Sequence, residues 1–325
     1  MRGHKPPEYT QKFFHTKEEI MSQIMSGIAR SSLLVDLSIS LYSGRKQDTS
    51  TRDEVTASKG AKSKRAASVY KSLFADCKEL DDIIKFQARL RQTHYKYTKP
   101  WLDSGVRLLP ATLLQQYNDL MYDHEREFED LVAKFLDKYD TLVAAAAFQL
   151  GALFDRNEYP TRSQVKRKFG FYLTFTPMPT SGDFRLDVEN ETQEALAKDY
   201  EKRMQVMAER AAKDSWDKLH DVLSRMAKQL APRGEDGKPG KIYDSLLGNA
   251  HELCDLLRHF NVTGDPALES MRQQLMGVME GVNTDALRKE ADTRAMVHKK
   301  VQDMLNQHDW GIEDEEDNDE LTEAH

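Results

Sequence analysis

The chain has only two cysteines, Cys77 and Cys254, in 325 residues. That is too few for a disulfide framework. Both lie among apolar residues at helical spacing, where a buried free thiol is the default. No apolar run approaches the roughly 18 to 20 residues a membrane span needs. The first residues, MRGHKPPEYTQKFFHTKEEI, lack the apolar core of a signal peptide. The expectation is therefore a cytosolic protein that does not engage a membrane.

Catalytic signatures are missing too. HExxH, paired CxxC, GxSxG and GxGxxG do not occur. GAKS, from Gly60, imitates the end of a phosphate-binding loop without its upstream glycine. The ten histidines are scattered. His124 and Glu125, His220, and His251 and Glu252 lie on expected helices near carboxylates, but their spacing assembles no metal site. No catalytic residue, cofactor or metal is expected, and the chain is not read as an enzyme.

What is present is charge, at 31% of residues, against 39% apolar. The formal net charge of -7 hides a split, because residues 313–323, EDEEDNDELTE, hold eight acidic side chains and no basic one. Without that run the body carries about one positive charge. A self-repelling run of this kind cannot bury apolar area, so a disordered tail is expected. It either solubilises the protein, docks on a basic partner, or covers the protein's own basic surface.

Periodicity gives a mainly α protein of long helical hairpins with a small antiparallel sheet. The expected divisions are an arm and short helix over 1–30, a helical hairpin with the sheet over 31–189, a long-helix bundle over 190–309, and the acidic tail over 310–325. Val35, Leu37, Ile39 and Leu41 alternate with Asp36, Ser38, Ser40 and Tyr42, as a half-buried strand requires. Phe171, Leu173 and Phe175 alternate in the same way, and strands 33–42 and 171–178 are expected to pair. DFRLDV, residues 183–188, reads as a third strand. The polar stretch 45–64 reads as a mobile loop.

Helical spacing is expected from Arg65 to about His94, and again after Pro110, which is read as a first-turn proline. The two helices should pack antiparallel. A third, short and apolar enough to be central, is expected over 140–154. Thr161 and Gln164 form a capping box, and Asp265 with Pro266 marks another helix start. Residues 191–230 read as one helix of about 60 Å. Its seam of Met204, Met207, Ala211, Ser215, Leu219, Leu223, Met226 and Leu230 resembles a soft coiled-coil stripe.

The most unusual stretch is HYKYTKPWLDSGVRLLP, His94 to Pro110. It reads first as a rigid corner anchored by its aromatics, and second as a binding surface. Lys96, Lys99 and Arg107 are interleaved with Tyr97 and Trp101, and Lys166, Arg167 and Lys168 form a second basic cluster ahead of Phe169. Cations beside aromatic faces suit single-stranded nucleic acid. A near-neutral body argues against it.

Taken together, LLVDLSISLYSGRK, HYKYTKPWLDSGVRLLP, GALFDRNEYP, FYLTFTPMPTSGDFRLDV and LCDLLRHFNVTGDPALESMRQQL resemble an uncharacterised family of proteins from tailed bacteriophages and some bacteria. The resemblance spans about residues 30–305. Related genes often lie near those of a MoxR-type AAA+ ATPase and a von Willebrand A-like protein. The resemblance thus implies a partner in a remodelling system and transfers no catalytic residue. The expected function is a non-enzymatic interaction or assembly protein with a protein partner or self-association, its long helix supplying the surface. The alternative is a single-stranded nucleic-acid-binding protein modulated by its acidic tail.

Overall fold

The structure, a computed structural model, describes residues 25–63, 65–179, 190–232 and 240–310. Residues 1–24 of the expected arm and short helix (1–30), the expected strand 183–188, and residues 311–325 of the expected tail (310–325) lie outside the described residues. What is described is 68% helical with two small antiparallel sheets.

The first sheet holds the architecture. β1 (Ser32–Ser40) follows a helix, α1, described over residues 25–31. β6 (Gly170–Pro177) pairs with β1 antiparallel, Val35 opposite Phe175 and Ile39 opposite Phe171, so the two alternating segments do meet. β5 (Arg107–Pro110) flanks β1 on its other side, and two-residue β4 (Lys99–Pro100) completes the order β4-β5-β1-β6. A second sheet is the ribbon of β2 (Arg45–Gln47) and β3 (Tyr70–Ser72).

The two faces of the first sheet bury different partners. Val35 and Leu109 face α3 (Lys78–Tyr97) and α4 (Leu114–Leu150), where Ile83, Phe86, Leu90, Tyr117, Phe128 and Phe135 close one core. The helices run antiparallel, with Glu79 paired to Lys138 and Arg89 to Glu127. Leu34, Leu108 and Trp101 face the opposite way. They pack on Ile28 and on Met204, Ala208 and Ala211 of α6 (Asn190–Leu230). The far half of α6 leaves the sheet. Leu219, Leu223, Met226 and Leu230 join α7 (Ser245–Phe260), α8 (Pro266–Met279), α9 (Thr284–Lys289) and α10 (Ala291–Gln307) in a helical bundle. One helix thus belongs to both cores.

Local chemistry explains the helix starts. Asp265 accepts from the backbone N–H groups of Ala267 and Leu268, with Pro266 at the first position. Thr161 and Gln164 make the reciprocal box that starts α5 (Arg162–Lys166).

Five expectations need correction. The stretch 45–64 is not a loop, since it holds β2 and α2 (Thr49–Ser58), which Asp48 caps through Thr51. Only Thr56 of α2 is buried, so no apolar stripe advertised it. The helix expected from Arg65 begins at Lys78, because Leu73 and Phe74 are buried at the end of β3 and Asp76 takes a left-handed φ of 56°. The helix expected over 140–154 is the last part of α4, and Phe148 there is 91% exposed. Pro110 ends β5 rather than opening a helix; a 3-10 turn, Ala111–Leu113, precedes α4.

The fifth concerns the α6 seam. Met204, Ala211, Ser215, Leu219, Leu223, Met226 and Leu230 are buried against this chain's own elements. That stripe is consumed in folding and is not left for another molecule.

Leu223 is fully buried in the bundle core. Leu223→Ala should lower unfolding free energy by about 2–5 kcal/mol in urea titrations, through lost transfer energy and the cavity left behind.

Candidate functional site

The stretch from His94 to Pro110 is a hairpin rather than a bare corner. Pro100 disfavours helical backbone at Lys99, which pairs with Leu108 across the β4–β5 ladder. The turn closes through Leu102 N–H to Val106 O at 2.9 Å, and Gly105, at φ 99°, supplies a backbone that side chains rarely adopt.

A polar network fills the inside of this hairpin. The Thr98 hydroxyl donates to His94 O at 2.6 Å and accepts from Arg107 Nε at 2.6 Å. Arg107 also donates to Thr98 O at 3.0 Å and stacks 4.7 Å from the Tyr95 ring centre. His94 Nδ1 meets the Tyr117 hydroxyl at 2.7 Å. Burial, helped by Arg107, pulls the His94 pKa down to about 4, so the ring is neutral at physiological pH.

Lys99 is the centre of the network. Its side chain has no exposed surface; Nζ donates to Asp214 Oδ2 of α6 at 2.7 Å and lies 4.2 Å from the Phe260 ring centre. Lys218 reaches the same carboxylate oxygen at 3.0 Å. Desolvation is the first cause that pulls the Lys99 pKa down to about 7, with Lys218 and Arg107 adding repulsion. Asp214 is nevertheless held below the usual carboxylate range: its burial acts upward, and Lys99 and Lys218 outweigh it. The two directions agree once stoichiometry is counted. One carboxylate serves two ammonium groups, so it gains from both while each lysine gains from half a partner.

This cluster joins β4, α6 and α7. Sealed under the Phe260 ring, the Lys99 amine is placed to fasten elements together rather than to meet a solute. Sequence reasoning singled out Lys99 and Arg107 but missed Asp214, Lys218 and Phe260. Those lie more than a hundred residues away in the chain, and no local pattern marks them.

The other sequence-predicted residues divide. Tyr97 is buried, its hydroxyl accepting from Gln116 Nε2 at 3.2 Å, and Trp101 is buried under α6. Lys96 is partly exposed and ion-paired with Glu252 of α7. Tyr97, Lys99 and Trp101 are therefore turned inward and not open to a base, while Tyr95, 48% exposed, carries Arg107 on its ring. Lys166, Arg167 and Lys168 are exposed at the end of α5, 5.3 Å separating Lys168 Nζ from the Tyr42 ring centre.

That second cluster adjoins a part of the chain the sequence reading treated as a loop. Residues 43–72 carry eight basic and three acidic side chains. Lys71 ties this excursion to the end of α4, donating to Leu153 O at 2.8 Å and pairing with Glu158 at 2.7 Å. The Tyr159 hydroxyl donates to Leu73 O at 2.7 Å, and Arg162 pairs with Asp137 at 2.6 Å. Residues 151–168 add five basic and two acidic side chains. Excursion and α5 thus form one cationic pole. Arg45, Lys46, Lys59, Lys62, Lys166 and Arg167 are exposed and make no ion pair among the described residues.

Two clefts remain. One, about 400 Å³, runs between α4 and β6 past Met121, Tyr122, Glu125 and Leu173. The other, about 320 Å³, lies between Tyr97 and Gln116 on one side and Glu252, Asp255 and His259 on the other. Among the described residues no helix is long and apolar enough to cross a membrane, and no group of three or more His, Cys, Asp or Glu side chains could hold a metal ion. No family model, curated protein or solved structure matches the chain.

The network sets a pH-dependent stability. An amine whose pKa falls from 10.5 unfolded to about 7 folded binds fewer protons in the native state between those values. Its contribution to stability therefore rises as pH goes from about 7 to 10.5 and is lost again as pH falls back through 7. Urea melts from pH 7 to 10 should show this rise in the native protein relative to Lys99→Met, in which it is abolished. Asp214→Ala, which leaves the cations unopposed, should cost about 3–5 kcal/mol near pH 7 in the same melts.

Proposed function

We propose that this chain is a non-enzymatic interaction and assembly protein. One observation carries the reading: residues 43–72 and 151–168 together carry thirteen basic against five acidic side chains and adjoin one another, a local excess of positive charge on an otherwise near-neutral body. A folded protein gains little by crowding like charge on one face, since the charges repel one another. A partner of opposite charge offsets that cost. The reactive-looking side chains, by contrast, are turned inward. Lys99, His94 and Tyr117 are each buried and bonded to a neighbour within the fold.

The resemblance to phage-encoded proteins gives the setting, a host cytoplasm, and an AAA+ ATPase of the MoxR class as the foreign partner to test. A second reading, single-stranded nucleic acid at the same pole, draws on the exposed Tyr70 and Tyr172, at 62% and 63% exposure. Against it, Tyr97 and Trp101 are committed to the interior.

The test is affinity purification of the full chain from cells that express it, with and without nuclease. A protein component that survives nuclease and is lost from a Lys166→Glu/Arg167→Glu variant supports the assembly reading. Recovery of nucleic acid alone, released by nuclease, overturns it in favour of the second.

A further inference from the structure

The sheet half of the molecule, with α3 and α4, meets the bundle along a seam that α7 lines. Leu253, Cys254 and Leu257 of α7 face the bundle's own core, while Leu256 and Phe260 enter the core beneath α3 and α4. Around those two side chains the contact is polar and reached by water. Lys96 pairs with Glu252, and His259 Nδ1 meets the Thr112 hydroxyl at 2.8 Å, both in exposed positions. Exposed contacts of this kind contribute little. The cleft of about 320 Å³ runs along the same line, between Tyr97, Leu113 and Gln116 on one side and Glu252, Asp255 and His259 on the other.

α7 belongs firmly to the bundle. The corner that follows it is fixed to α6 by a C-terminal aromatic anchor. Trp216 Nε1 donates to Asp265 Oδ2 at 3.1 Å, and His308 stacks on Trp216 at 3.9 Å. The Trp310 ring lies 5.9 Å from Trp216 and 4.9 Å from His220 of the same helix. α6 in turn is held to the sheet by Met204, Ala208 and Ala211. The two halves are thus joined strongly along α6 and weakly along α7.

Under the weak line lies the Lys99 amine. Phe260 covers it at 4.2 Å and covers Lys218 Nζ at 5.5 Å. Asp214 and Lys218 stand beside it from α6, and Arg107 stands beside it from β5. Behind these are the Tyr95 carbonyl, which accepts from Lys218 at 3.4 Å, and the His94–Tyr117 pair. Glu252, Asp255 and His259 face the seam from α7. An ammonium group sealed by one ring, at the edge of a cleft, gains hydration as soon as that ring withdraws.

We infer that the α7 face of the bundle parts from α3 and α4 as pH falls toward neutrality, admitting water to Lys99 while α6 stays on the sheet. The seam is a proton-sensitive device built into the fold, and it stands independently of the assembly reading. Linkage sets the direction. Sealed under Phe260 the amine titrates near 7, and hydrated it returns to 10.5. Parting therefore takes up a proton between those values and is favoured as pH falls through them. Below about 7 both forms hold the proton and the dependence flattens. From about pH 8.5 to about pH 6.5 the parted fraction should rise about twentyfold. Across that range His94, held down to about 4, stays neutral, and Asp214, held below the ordinary carboxylate range, stays charged.

Thiol labelling of the full chain reads the seam against both cores. Leu256→Cys places a thiol on the seam, while buried Cys77 and Cys254 report the α3–α4 core and the bundle core of the same molecules. Iodoacetamide labelling is followed by mass spectrometry and divided by the rate of an unfolded cysteine peptide at the same pH. The introduced thiol should react well before Cys77 and Cys254. Its corrected rate should rise about twentyfold from about pH 8.5 to about pH 6.5. Adding Lys99→Met should flatten that rise, and adding His259→Gln, which removes the imidazole that meets Thr112, should keep it. A corrected rate that does not change with pH overturns the inference. So does equal labelling of all three thiols, because the seam would then open only when the whole chain unfolds. Retention of the full rise in the Lys99→Met protein also overturns it and assigns the response to another group.

Discussion

One carboxylate shared by two lysines governs how the parts of this protein are held. Asp214 on α6 binds Lys99 of the sheet and Lys218 of its own helix, with Phe260 of α7 covering both ammonium groups. A buried pair of this kind contributes little net stability, because desolvation offsets most of the attraction. Its effect is on geometry. Any arrangement that moves α6 away from β4 leaves an uncompensated charge in the interior, and that penalty is several times larger than the net worth of the pair. Burial of Leu34, Leu108 and Trp101 against the same helix adds non-directional adhesion, while the ion pair fixes the register.

Fixing that junction fixes the ends. α3 and α4 run away from it as an antiparallel pair carrying the cationic excursion at their far end, and the bundle carries the C-terminal aromatic anchor near it. The distance between the cationic excursion and the bundle is thus a consequence of helix length. α4 stays apolar along one stripe for about seven turns, from Tyr117 through Phe128 and Phe135 to Val143, and that stripe keeps the two ends apart.

Much of this frame was legible in the sequence. The period-two alternation of Val35, Leu37 and Ile39, and of Phe171, Leu173 and Phe175, yields two strands whose apolar faces share one core, and they pair in register. The capping box at Thr161 and the Asp265–Pro266 start appear as expected because caps are local chemistry. The excursion was misread because α2 buries only Thr56 and so lacks a stripe, and because Leu73 and Phe74 mimic helical spacing while ending a strand. The α6 stripe looked like an association seam, since periodicity says that a face will be buried without saying by what. The candidate site was half legible: composition marked Lys99 and Arg107, but Asp214 became their partner only through a contact 115 residues distant in the chain.

The separation of the pole from the C-terminal anchor is the claim on which the outward use of charge stands, and it can be measured directly. Cys77 and Cys254 are buried, so labels can be directed to cysteines introduced at Lys46, on the pole, and Gln307, on α10 beside the anchor. Pulsed electron paramagnetic resonance on dilute protein in high salt then reads the distance within single molecules. A separation on the order of 45 Å is expected from the length of α4. A distribution centred below about 25 Å would contradict it, because pole and anchor would then be neighbours and not held apart by the length of α4.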